Sequence, residues 1–139
     1  MKDAYINGKI IDGTKEMHVK EGYAILVEQG KIKNIVLQEE ADLTGYNVVD
    51  LKENYIMPGL INMHVHLAGN GKPQKKQRDN AKLVNFLMSN PLTRAIAHNM
   101  VSGFAEMELL SGVTTIRTVG GIRDFDTRVR DEINCGKKR

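Results

Sequence analysis

The sequence predicts an α/β chain in two parts. Residues 1–57 form part of a small β-sandwich, and residues 58–139 form strand-helix units with parallel strands. Three observations lead there. Short β-rich runs punctuated by Asn-Gly and Gln-Gly fill the first part. Pro58-Gly59 then marks a change of pattern. Beyond it, apolar strand-like runs alternate with helix-length amphipathic segments, the signature of parallel strands joined by crossover helices.

Each element has its own signal. Ala4-Tyr5-Ile6 and Lys9-Ile10-Ile11 flank Asn7-Gly8, which predicts a two-residue hairpin. Tyr23–Val27 and Ile32–Val36 flank Gln29-Gly30, predicting a second hairpin, and the whole unit reads as antiparallel. Asn47–Leu51 and Tyr55-Ile56-Met57 are further strands. Leu60-Ile61 through Val65 is an apolar run typical of a strand buried on both faces. A helix over 76–88 presents Leu83, Phe86 and Leu87 as an apolar edge. Asn90 is placed to cap a helix that Pro91 opens at its first position. Leu92, Ile96, Met100, Phe104, Met107 and Leu110 share one stripe of that helix, and Gly112 follows it as a stop. Val113–Val119 is a second β-rich run, Gly120-Gly121 a turn, and Asp124 or Asp126 opens a last helix that runs through Ile133 and ends at Gly136.

Composition narrows the class. The chain has 139 residues, of which 41% are hydrophobic and 27% charged, the profile of an ordinary globular sequence able to bury a core. A net charge of +3 is too small to mark a nucleic-acid binder. The single cysteine, Cys135, excludes an intrachain disulfide and fits a reducing compartment. No apolar run has signal-peptide length at the N-terminus, and none approaches the ~18 apolar residues of a membrane span. The expectation is a cytoplasmic protein without a membrane or nucleic-acid partner.

The chemistry-bearing motif is His64-Val65-His66 at the end of the strand after Pro58-Gly59. Alternate strand residues share a face, so the two imidazoles project together. Neutral imidazole is a ligand for zinc and similar ions, and a pair supplies half a coordination sphere. In parallel α/β barrels the chemistry sits at the C-terminal ends of the strands, where this pair lies. Other candidates read as structural. His18 lies in a polar turn-to-strand segment, and His98 sits at a boundary of the long helix. Lys72, Lys75, Lys76, Arg78 and Lys82 form a basic cluster without aromatics, read as a solvated loop and helix face; Lys72 or Lys75 would meet an anionic substrate group if that loop overhangs the site. Arg117 is expected in a structural salt bridge, Met100 and Met107 in core packing, and Cys135 to be inert.

The sequence resembles the N-terminal part of the metal-dependent amidohydrolase superfamily, closest to imidazolonepropionase-like and prolidase-like members. The resemblance rests on Ile56-Met57-Pro58-Gly59-Leu60-Ile61 with His64 and His66, on Leu109-Leu110-Ser111-Gly112-Val113-Thr114-Thr115-Ile116-Arg117 with Gly120-Gly121, and on Arg128-Val129-Arg130-Asp131 with Ile133 and Gly136. It implies a small β domain followed by an eight-stranded TIM barrel that hydrolyses amide, cyclic amide or related C–N bonds of small molecules. It also implies one or two divalent ions, often zinc, with His64 and His66 among the metal ligands. Two positions depart from the family pattern: Asn62 stands where Asp is usual, and Thr118 where Asp is frequent.

Length sets a further expectation. A full barrel takes about 250 residues, so residues 58–139 suffice for two or three strand-helix units of an incomplete barrel. The resemblance places the remaining ligands, a lysine, two histidines and an aspartate that serves as general base, on later strands. The expectation is therefore an N-terminal fragment with no catalytic residue of its own. It would be inactive alone, would bind metal weakly and would form a homo-oligomer through open strand edges. The competing expectation is a small non-enzymatic module of β unit plus helices used for association.

Overall fold

The computed structural model describes residues 1–69 and 79–138. It is a mixed α/β structure that divides into two compact units, Met1–Pro58 and Gly59–Arg139.

In the first unit, β1 (Lys2–Ile6), β4 (Tyr23–Glu28), β5 (Lys31–Leu37) and β6 (Asn47–Asp50) form a sheet in the order β5-β4-β1-β6. A second sheet has β2 (Lys9–Ile11) between β3 (Val19–Lys20) and β7 (Tyr55–Ile56). The hairpin expected at Gln29-Gly30 joins β4 to β5, and both turn residues take positive φ, 51° and 75°. The hairpin expected at Asn7-Gly8 does not form, because β1 and β2 belong to different sheets. Asn7 is claimed by distant partners instead. Its backbone N–H donates to Gln38 Oε1 at 2.8 Å, and its side-chain amide donates to Asp50 Oδ1 at 3.1 Å. Gly8 lies against Leu51, where a Cβ would overlap the leucine side chain.

The unit is also not purely antiparallel, since β1 pairs with β6 and β2 with β7 in parallel. Chain segments 6–9 and 51–54 run side by side, with bonds such as Leu51 N–H to Ile6 O at 2.9 Å and Glu53 N–H to Asn7 O at 2.7 Å. Tyr46 Oη donates to Glu28 Oε1 at 2.7 Å, and Lys2 Nζ lies 3.0 Å from the same oxygen. The tyrosine hydrogen bond first, and then the lysine, hold the Glu28 carboxyl below its ordinary range.

The second unit is built on β8 (Leu60–Val65) and β9 (Val113–Thr118), paired in parallel. Between them come α1 (Asn80–Leu87) and α2 (Pro91–Leu110), and α3 (Phe125–Asn134) follows β9. Helix α1 starts later than expected. Asp79 caps it by accepting from the Lys82 N–H. Residues 76–78 of the expected helix lie outside the described residues. Asn90 and Thr93 close a reciprocal capping box on α2, with Pro91 in the first turn. Gly112 follows that helix at φ +92°. At α3 it is Asp124 that occupies the cap position, and Gly136 has φ +75°.

The core of this unit gathers Val65, Leu67, Met88, Ala97, Val101, Ile122, Phe125 and Val129. It differs from the expected stripe on α2. Leu92, Ile96, Met107 and Leu110 are exposed, while Ala97 and Val101 are buried and Met100 and Phe104 pack against the core. The inward face of α2 is thus set by Ala97 and Val101 rather than by the longer side chains. On α1, Leu83 and Phe86 are likewise exposed, and Val84, Leu87 and Met88 turn inward. Strand β8 is not buried on both faces: Leu60, Ile61 and Met63 are exposed, and of its residues only Val65 is fully covered.

Gly59 has a packing reason at the start of β8. A Cβ there would overlap the Thr114 side chain on β9. Gly103, in the middle of α2, has open space where its Cβ would be. Gly59→Ala is therefore expected to destabilise the unit by about 1–3 kcal/mol through overpacking, and Gly103→Ala to stabilise it by up to about 1 kcal/mol through helix propensity. Urea unfolding followed by far-UV circular dichroism separates the two, and equal effects would contradict this packing.

Candidate metal centre

The two histidines lie at the end of an irregular stretch of β8. The register runs Leu60↔Val113, Ile61↔Thr115, Asn62↔Ile116 and Val65↔Thr118, with shifts on either side of Ile61-Asn62. Between Asn62 and Val65 the strand carries one residue more than its partner, a bulge of the kind that re-aims side chains. The His64 N–H in that stretch donates to Asn62 Oδ1 at 3.2 Å. The side-chain amide of Asn62 supplies the accepting oxygen.

Beyond the bulge the ladder resumes, with Val119 N–H donating to Val65 O at 3.1 Å. Just past it, the rings of His64 and His66 stand 5.2 Å apart at an interplanar angle of 65°. His66 Nδ1 lies 3.0 Å from the carbonyl oxygen of Gly120 in the turn after β9. An open recess of about 630 Å³ borders the pair, lined by Asn62, His64, His66, Phe104, Glu108 and Ser111 among others. Both imidazoles are exposed and reachable from solvent.

Two imidazoles suit a borderline divalent ion such as zinc in donor type, and they fill half of its tetrahedral shell. Among the described residues no group of three or more His, Cys, Asp or Glu could hold a metal ion. The residues present thus fit a half-site.

The remaining candidates fall elsewhere. Lys72, Lys75, Lys76 and Arg78 lie outside the described residues. Lys82 is solvated on α1, 3.5 Å from Asp79. His18 is exposed in the first unit. His98 is not a boundary residue: it is 8% exposed, packed edge-on against Phe125, with Nε2 3.4 Å from Glu132 Oε2. It belongs to the α2–α3 packing. Glu132 in turn meets Lys138 Nζ at 3.5 Å, and that lysine reaches Ser102 Oγ at 2.6 Å. The salt bridge expected for Arg117 is not seen among the described residues, where this side chain is exposed. Cys135 is free and exposed. Sequence reasoning missed the part played by Gly120, which it treated as turn punctuation. The pair of glycines directly after a strand was the signal.

The second unit thus carries a His-x-His at the C-terminal end of the first of two parallel strands, and the first unit is a mixed β unit. No family model matches it. The 5-methylthioadenosine/S-adenosylhomocysteine deaminase of Bacillus thuringiensis (strain Al Hakam) is 35% identical over 68 residues, which is 48% of this chain and 16% of the deaminase. Among solved structures, a Bifidobacterium longum protein described as a prolidase matches 98% of this chain and 28% of its own, at 26% identity and a TM-score of 0.72. An amidohydrolase matches all of this chain and 30% of its own, at 22% identity and a TM-score of 0.74. The chain is therefore similar to members of the amidohydrolase superfamily. It spans about a sixth of the length of the curated relative and under a third of these structural neighbours.

Proposed function

We propose that this chain contributes the opening portion of a metal-dependent amidohydrolase that hydrolyses a C–N bond of a small molecule, of amide or cyclic amide type. In this reading residues 1–57 belong to a small composite β-sandwich domain, and residues 58–139 are the first strand-helix units of a TIM barrel. His64 and His66 are two ligands of a divalent ion, zinc by donor type. The observation that carries the reading is the pair of imidazole rings 5.2 Å apart at the end of a parallel strand, one of them held by the turn after the neighbouring strand. The deaminase and prolidase descriptions of the relatives support the bond class.

A divalent ion bound there would supply Lewis acidity, lowering the pKa of a water and polarising a scissile carbonyl. The chain's own residues position that ion's ligands. Asn62 holds the bulge that carries His64, Gly120 holds the His66 ring, and the open recess admits a small molecule. Further ligands and the general base lie outside this chain in the same reading, which makes the 139-residue chain inactive alone and weak in metal binding. A cytoplasmic location goes with it; among the described residues no helix is long and apolar enough to cross a membrane.

Zinc titration of the isolated chain tests the site. Binding at one equivalent, weaker than micromolar and lost in both His64→Ala and His66→Ala, is expected. Sub-micromolar binding, or binding that survives both substitutions, would contradict the half-site.

Among the described residues the β8–β9 sheet has two strands, and Leu60, Ile61 and Met63 on it are exposed. Open strand edges of this kind pair with further strands, so self-association of the isolated chain belongs to the same proposal. Light scattering is expected to give a dimer or larger species. A monodisperse monomer at the same concentrations would remove this part of the proposal, and it would leave the alternative of an association module without support.

A further inference from the structure

We propose that the backbone carbonyl of Gly120 is a positioning group that commits His66 to its Nδ1–H tautomer and so presents Nε2 as the metal-binding nitrogen. This rests on the metal-site reading above.

The inference follows from which atoms can donate. His66 Nδ1 lies 3.0 Å from the Gly120 oxygen, and a carbonyl oxygen only accepts. The proton of that hydrogen bond must therefore sit on Nδ1. In the neutral ring Nε2 is then bare, with its lone pair free. A free imidazole in water favours the opposite tautomer, so the protein imposes a choice here.

The geometry of the turn supports a fixed carbonyl. Gly120 has φ +148°, a conformation that side-chain-bearing residues rarely adopt. Space is not the reason for a glycine: a Cβ would meet the His66 ring at 3.6 Å, an ordinary contact. The requirement lies in the backbone path that aims the carbonyl at the ring. On one side the turn is anchored by the Val119 N–H to Val65 O bond. On the other, Gly121 packs so closely to Asp126 in the first turn of α3 that a Cβ would stand 2.5 Å from its carboxylate. Strand β9 thus contributes to the half-site without contributing a ligand. Partners that orient a ligand histidine in this way typically change metal affinity 10–100-fold when altered.

The test uses the ¹⁵N-labelled 139-residue chain without metal, at a pH high enough to leave the imidazoles neutral. Long-range ¹H–¹⁵N correlation spectra report which ring nitrogen carries the proton, and exposed His18 serves as the internal reference. His66 is expected to show a protonated Nδ1 and a bare Nε2, unlike His18. Gly120→Ala is expected to move the His66 pattern toward that of His18 and to weaken zinc binding about 10–100-fold, with the remaining spectrum retained. A His66 ring that matches His18, or one protonated at Nε2, would overturn the inference, and that measurement needs no variant to fold. A protonated Nδ1 in a chain that takes up no zinc would support the positioning and overturn the metal reading alone. Zinc bound through Nδ1 of His66 would overturn the positioning alone.

Discussion

The parallel pairing of β8 with β9 is the constraint on which the second unit depends. It sets Val65 and Ile116 against the helices and determines where the chain turns after each strand. It also puts Gly120 opposite His66, residues 54 positions apart in sequence. Because the strands are parallel, both C-terminal ends fall on the same side. His64 and His66 pair at the bulge in β8, and the turn after β9 meets the second ring. The approach of Gly120 to His66, at the proposed half-site, depends on that pairing.

Some of this was legible in the sequence because the signals were local. Asn90-Pro91 opens α2 and Gly112 follows it, as cap chemistry requires. Gln29-Gly30 makes the hairpin its dipeptide announces. The His-x-His at a strand end needed no tertiary information to be singled out, and its two rings do come together. What failed depended on distant partners. Asn7-Gly8 carries the same local signal as Gln29-Gly30, yet Gln38, Asp50 and Leu51 draw it into a crossover between sheets. No local pattern distinguishes the two cases.

The faces of the helices were misread for a related reason. Periodicity located an apolar stripe on α2, but it does not say which of two adjacent stripes faces inward. Ala97 and Val101 turn inward, and Leu92, Ile96 and Leu110 are exposed. His98 shows the same limit: its burial against Phe125 and its approach to Glu132 come from α3, 27 and 34 residues downstream. The role of Gly120 needed both a strand pairing and a backbone angle, neither of which a dipeptide encodes.

The central claim is that this chain holds a two-imidazole half-site made by the β8–β9 pairing. X-ray absorption at the zinc edge of the metal-loaded chain tests it most directly. The account predicts two imidazole nitrogens at about 2.0–2.1 Å, with the rest of the shell made up by light oxygen scatterers from solvent. A shell of three or more imidazoles, one containing sulfur from Cys135, or one with no imidazole at all would contradict it.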